Sequence, residues 1–141
     1  MTTADLYAFL STQKLGVLAY GAMSNSALLG IAITPQFEIV FDTVKTSRKY
    51  PNLIARPQCS FVIGGWDESG QTVQYEGQAE ELTPPKLAQY QELYFQAFPD
   101  GPERLSWPGI VYFLVRPTWI RHSDYRPDTR GVAEFTFQIK T

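Results

Sequence analysis

Gln71-Thr72-Val73-Gln74-Tyr75-Glu76-Gly77-Gln78-Ala79-Glu80-Glu81-Leu82 carries the cleanest two-residue period in the chain. Val73, Tyr75, Gly77 and Ala79 fall on one side of an extended backbone, and Gln74, Glu76, Gln78 and Glu80 on the other. The stretch predicts a strand with one face on a core and one toward water. Upstream, Cys59–Ile63 is an apolar run that suits its hairpin partner, joined through the loop Gly64–Gly70. Downstream, Thr83 followed by Pro84 reads as a helix start. Leu87, Tyr90, Leu93, Tyr94, Ala97 and Phe98 then recur at helical spacing until Pro99, a stripe that predicts packing on the core.

The flanks follow the same logic. Thr3 is a candidate cap for a first helix running to about Thr12, with Leu6, Phe9 and Leu10 on one face. Leu15–Tyr20, Ala27–Thr34 and Phe37–Thr43 read as three strands with short connections, which predicts an antiparallel meander. Beyond the loop 100–108, Ile110–Arg116 is a further apolar strand, with Trp119–Tyr125 a candidate continuation after a break at Pro117. Arg126–Gly131 reads as a linker, and Glu134–Lys140 as a last strand that could pair across a dimer. Six or seven strands with two or three helices in 141 residues predict a mainly β protein, a small antiparallel split or closed β-barrel with flanking helices. No repeat or domain boundary interrupts it, so residues 1–141 read as a single domain.

The composition narrows function by exclusion. The chain is 44% hydrophobic and 14% aromatic but only 18% charged, which predicts a surface apolar enough for a dimer interface or a large ligand. A formal net charge of −2 lends no global support to a nucleic-acid partner. No apolar run reaches membrane-spanning length and the first residues lack a secretion signal, so a cytoplasmic location is the default expectation. One cysteine, Cys59, and one histidine, His122, leave no internal disulfide and no His or Cys metal cluster. Neither a nucleophile elbow nor a Gly-rich nucleotide loop is present. If the protein is an enzyme, a borrowed cofactor must supply the chemistry.

Glu38–Leu53 offers a place for one. Its apolar first half reads as a strand; its second half, Thr43-Val44-Lys45-Thr46-Ser47-Arg48-Lys49, brings hydroxyls and cations to the entrance of a short helix. Hydroxyls and free N–H groups can donate to a phosphate there, and Arg and Lys neutralise it. The competing reading is ordinary helix punctuation, a Ser or Thr cap followed by exposed cations.

Three pieces together resemble one family, the flavin-binding split barrels related to pyridoxamine 5′-phosphate oxidase. Val40–Lys49 is similar to that family's strand end and Ser-Arg-Lys triplet, which hold the flavin phosphate. Thr72–Glu80 looks like its strand ending in Glu-Gly-x-Ala-Glu, and the order of helices and strands over residues 4–125 is alike. The resemblance implies an FMN-binding homodimer. It implies that Thr43, Ser47, Arg48 and Lys49 bind the phosphate, with Asp42 and Thr46 beside them among the cofactor-binding residues, and that Thr72 stands where the oxidase has a flavin-contacting Gln, for which Gln74, one pleat along, is the substitute. Trp66, Trp107 and Trp119 are candidates to stack on the ring or to pack in the core or an interface. An ungapped match puts Ala27 and Ala32 where the oxidase has Arg and Lys, and Arg121 and His122 lie near its substrate motif without matching it. A vitamin B6 biosynthetic role is therefore not expected. The expectation is a flavin-dependent oxidoreductase of unidentified substrate, with three alternatives: a non-catalytic flavin-binding or sensor protein, a haem-binding split barrel using His122, and a cofactor-free oligomeric barrel.

Overall fold

A computed structural model describes residues 1–139. Three helices, α1 (Thr3–Leu10), α2 (Lys49–Ala55) and α3 (Leu87–Ala97), flank eight strands. These are β1 (Leu15–Tyr20), β2 (Asn25–Gly30), β3 (Ala32–Ile33), β4 (Ile39–Val44), β5 (Gln58–Gly64), β6 (Gln71–Glu81), β7 (Ile110–Asp124) and β8 (Gly131–Thr136). All pairings are antiparallel, in the order β2-β1-β5-β6-β7-β4-β3, with β8 added to β7. This is the mainly β split barrel that the strand pattern predicts. The sheet curls around Leu18, Ile39, Phe41, Phe61, Val73, Tyr75 and Phe113, and α1 closes one end with Leu6, Phe9 and Leu10, as its periodicity requires. A second layer, Val40, Leu82, Tyr94, Tyr112 and Leu114, fills the space between the outside of the sheet and α3.

The 15-residue β7 joins these parts. Its first half pairs with β4 (Thr43 opposite Val111) and its second half with β8 (Arg121 opposite Glu134), while β6 runs beside nearly all of it. The expected break at Pro117 does not occur. The register shifts at Glu76/Gly77, and Gly77 stands opposite Pro117. A bulge is where a residue without an N–H fits a central strand. Gly77 is required there, because a Cβ on it would collide with the Arg116 carbonyl oxygen and come within 2.9 Å of Val115 Cγ1.

Other boundaries move for local reasons. The predicted strand Ala27–Thr34 is two strands: β2 pairs with β1, the chain bends at the buried Ile31, and β3 pairs with β4 on the opposite side of the opening. The first three strands thus form two hairpin-like pairs rather than one meander. β4 starts at Ile39, not Phe37, because the Thr34 hydroxyl accepts from the Gln36 and Glu38 N–H groups and holds a turn with Phe37 at φ 65°. Thr2, not Thr3, caps α1: its hydroxyl accepts from Asp5 N–H, and its own N–H donates to the Asp5 carboxylate. α3 starts at Leu87, four residues after Thr83. The last strand begins at Gly131 and pairs with β7 of its own chain rather than across a dimer. Lys140, the predicted end of that strand, lies outside the described residues. No described helix is long and apolar enough to cross a membrane.

Candidate functional site

β4 alternates like any strand, so Asp42 and Thr43 point to opposite sides of the sheet. Thr43 ends the row Ile39, Phe41, Thr43 on the barrel side, only 9% exposed, and its hydroxyl lies 3.1 Å from that of Ser47. Lys45 N–H donates to Gly109 and Ser47 N–H to Val44, which folds residues 45–48 into a tight turn before α2. Ser47 does not cap that helix. The capping position is Arg48, in helical conformation and without a side-chain cap bond. The punctuation reading therefore does not describe this turn.

Around the Thr43–Ser47 hydroxyl pair, Lys45, Arg48 and Lys49 form no ion pair among the described residues. The N–H groups of Thr46, Arg48 and Lys49 likewise find no backbone acceptor there. Lys45 Nζ sits 5.8 Å over the Tyr50 ring, and the Tyr50 hydroxyl donates to Glu81 at 2.6 Å, which steadies the first turn of α2. Asn52 donates to the Arg48 carbonyl at 2.8 Å. α2 has only seven residues, so any anion here is held by these side chains and turn amides rather than by the helix. Two hydroxyl donors, three unpaired cations and three free amides within seven residues are chemically suited to a dianion. Lys45 is the member that the residue pattern did not single out, although it lies in the same stretch.

Asp42 is occupied elsewhere. Its carboxylate accepts from Arg104 Nε at 2.8 Å and from the Tyr94 hydroxyl at 3.1 Å, on the α3 side of the sheet. Arg104 also reaches Asp100 at 2.9 Å. Burial and the Asp42 charge push the Tyr94 phenol well above its ordinary range. The Asp42 side chain is therefore structural, and the hydroxyl and cationic residues stand without it.

Thr72 and Gln74 also lie apart from the grip. Thr72 pairs with Ser123 and Thr43 with Val111, twelve residues apart on β7, about 40 Å of extended strand. Gln74 is exposed on the outer face, in the cross-strand row Leu28, Val17, Val62, Gln74, Arg121. The tryptophans do not converge. Trp66 is in the β5–β6 hairpin, Trp107 follows the 3₁₀ turn Gly101–Ser106, and Trp119 faces outward opposite Glu76. Ala32 is buried in the layer under α3, and Ala27 packs on the barrel core. His122 is 2% exposed, its Nε2 lies 3.0 Å from Gln71 Oε1, and its ring meets Phe9 edge-on at 5.4 Å. Burial holds its pKa below the ordinary value. Burial likewise pushes the Cys59 thiol up to about 12, which leaves it a neutral core group.

No family model and no curated protein matches this chain. Solved structures do. A haem-binding protein from Mycobacterium smegmatis superimposes with a TM-score of 0.80 over 96% of this chain at 14% identity; the chain spans 58% of that protein. An FAD-binding protein from Mesorhizobium loti matches with a TM-score of 0.69 at 16% identity, over 86% of this chain and 92% of that one. A Listeria innocua protein proposed to be a pyridoxamine 5′-phosphate oxidase matches with a TM-score of 0.67 at 14% identity, over 84% and 94%. The fold is thus the split barrel of the pyridoxamine 5′-phosphate oxidase type, the fold that the resemblance implied.

Proposed function

We propose that this chain binds FMN, as a homodimer, with the phosphate held by Thr43, Thr46, Ser47, Arg48 and Lys49 and by Lys45 beside them. The observation that carries the proposal is the cluster of unpaired cations and free turn amides around the Thr43–Ser47 hydroxyl pair. A bound flavin supplies hydride or electron transfer, which the chain's own side chains are not equipped to perform. Thr72 and Gln74 support the dimeric form of the proposal. They stand at the other end of β7 from the grip, so contact between them and the same flavin requires a second copy of the chain. We further propose a flavin-dependent oxidoreductase rather than a non-catalytic flavin-binding or sensor protein; steady turnover of reduced nicotinamide or reduced deazaflavin with a screened acceptor distinguishes the two.

The test of the grip is Arg48→Ala with Lys49→Ala. Each lost charge-assisted contact is worth about 1.5–3 kcal/mol. The double variant should lose at least tenfold in FMN affinity, by flavin fluorescence titration, with unchanged far-UV circular dichroism. Unaltered affinity would sink the assignment. The haem alternative rests on the fold alone, and it asks His122 to give up Gln71 and leave the core. Absorbance spectra after adding FMN or haemin in turn separate the two cofactors.

A further inference from the structure

Glu81 is the last residue of β6, and Phe113 of β7 stands opposite it. Tyr50, in the first turn of α2, packs edge-on against that Phe113 ring with centroids 6.0 Å apart, and its hydroxyl donates to Glu81 Oε1 at 2.6 Å. The hydrogen bond to Glu81 raises the phenol above its ordinary range, so at neutral pH it stays protonated and remains a donor. Over the same ring, 5.8 Å from its centroid, sits Lys45 Nζ. Lys45 and Glu81 wall one cavity, yet among the described residues no ion pair joins them. Tyr50 thus meets both members of an opposite-charge pair that do not meet each other.

That separation matters for an anion site. A carboxylate within reach of Lys45 is the partner its ammonium would ordinarily take, and the pair would cancel one of the three cations around the Thr43–Ser47 hydroxyls. The ring face attracts the ammonium without neutralising it. The phenol meanwhile occupies the Glu81 carboxylate with a donor that carries no charge. We propose that Tyr50 is a positioning residue for the phosphate: it holds Glu81 off Lys45 and so keeps the full cationic charge of the grip for the ligand. The proposal rests on the phosphate reading of the grip and adds to it two residues, Tyr50 and Glu81, that act through Lys45.

Tyr50→Phe tests it, because the ring and its packing on Phe113 stay while the hydroxyl goes. Freed of the phenol, Glu81 pairs with Lys45, and FMN affinity by flavin fluorescence titration should fall about fivefold. Adding Glu81→Gln removes the competing charge and should restore affinity to within about twofold of the parent. A hydroxyl that merely steadied α2 would give a loss that Glu81→Gln leaves or deepens. In a Lys45→Ala background, Tyr50→Phe should change nothing further, since no cation remains there to be captured. Riboflavin, the same ring without the phosphate, should bind the parent at least about tenfold more weakly than FMN and should not distinguish the parent from any of these variants. A parent that binds FMN no more tightly than riboflavin refutes the phosphate grip itself. With that preference intact, an unchanged affinity in Tyr50→Phe, or a loss that the double variant does not recover, overturns the role of Tyr50 alone.

Discussion

Asp42 shows how much one position along a strand decides. It adjoins Thr43 in sequence, yet its carboxylate faces α3 and is held by Arg104 and Tyr94, both groups largely out of solvent. Asp42→Ala leaves the Arg104 guanidinium with the exposed Asp100 as its one carboxylate partner among the described residues, at a cost of about 1–3 kcal/mol in urea unfolding. FMN affinity should stay within about twofold. A tenfold loss would return Asp42 to the phosphate grip. The alternation that separates Asp42 from Thr43 was legible in the residues; Arg104 as its partner, 62 positions away, was not. His122 gives a residue-scale prediction with a defined sign. Its folded pKa lies below the unfolded value near 6.5, so the unfolded chain binds more protons in acid. Stability should therefore fall as pH drops through about 6.5 toward the lower folded value, by at most about 1.4 kcal/mol per pH unit. In His122→Gln that slope, measured by urea unfolding between pH 5 and 7, should flatten. A slope as steep as in the parent would place the titrating group elsewhere.

At the scale of elements, Glu76-Gly77-Gln78-Ala79-Glu80 carries the resemblance to flavin-binding barrels but serves the sheet. Gly77 lets β6 pass the Arg116 carbonyl at the bulge, and Ala79 is 8% exposed against the core. Gly77→Ala should cost at least about 2 kcal/mol in chemical denaturation, from overpacking against backbone that cannot move aside. A near-neutral effect would show that the two strands can part there without loss. The alternation of β6, the apolar face of α1 and the stripe on α3 were all legible, because each is a local period acting on one element. The division of residues 25–33 into β2 and β3, the passage of β7 through Pro117 and the pairing of β8 with β7 were not. Each depends on a partner strand far along the chain. Ser47 belongs to the same group: its composition reads as a cap, and only the close of β4 onto the turn gives its hydroxyl to Thr43.

The whole molecule presents an outer sheet face in which Leu28 and Val62 are 63% and 45% exposed and flank Val17 in one cross-strand row. An apolar row continuous with Gln74 is the surface we assign to the second copy. Light scattering should return twice the 16.0 kDa of the chain. Val62→Lys, which buries a charge at that face if copies meet there, should halve the mass and reduce FMN affinity together. A monomeric parent that still binds FMN would refute the shared site. The placement of β7 has a last consequence, for the order of synthesis. Until residues 110–124 leave the ribosome, β4 has only the two-residue β3 beside it, and β6 has only β5. The open edges of β4 and β6 must wait for one late segment to arrive. For this chain, the race between folding and aggregation is therefore run during translation, and the supply of β7 sets its clock.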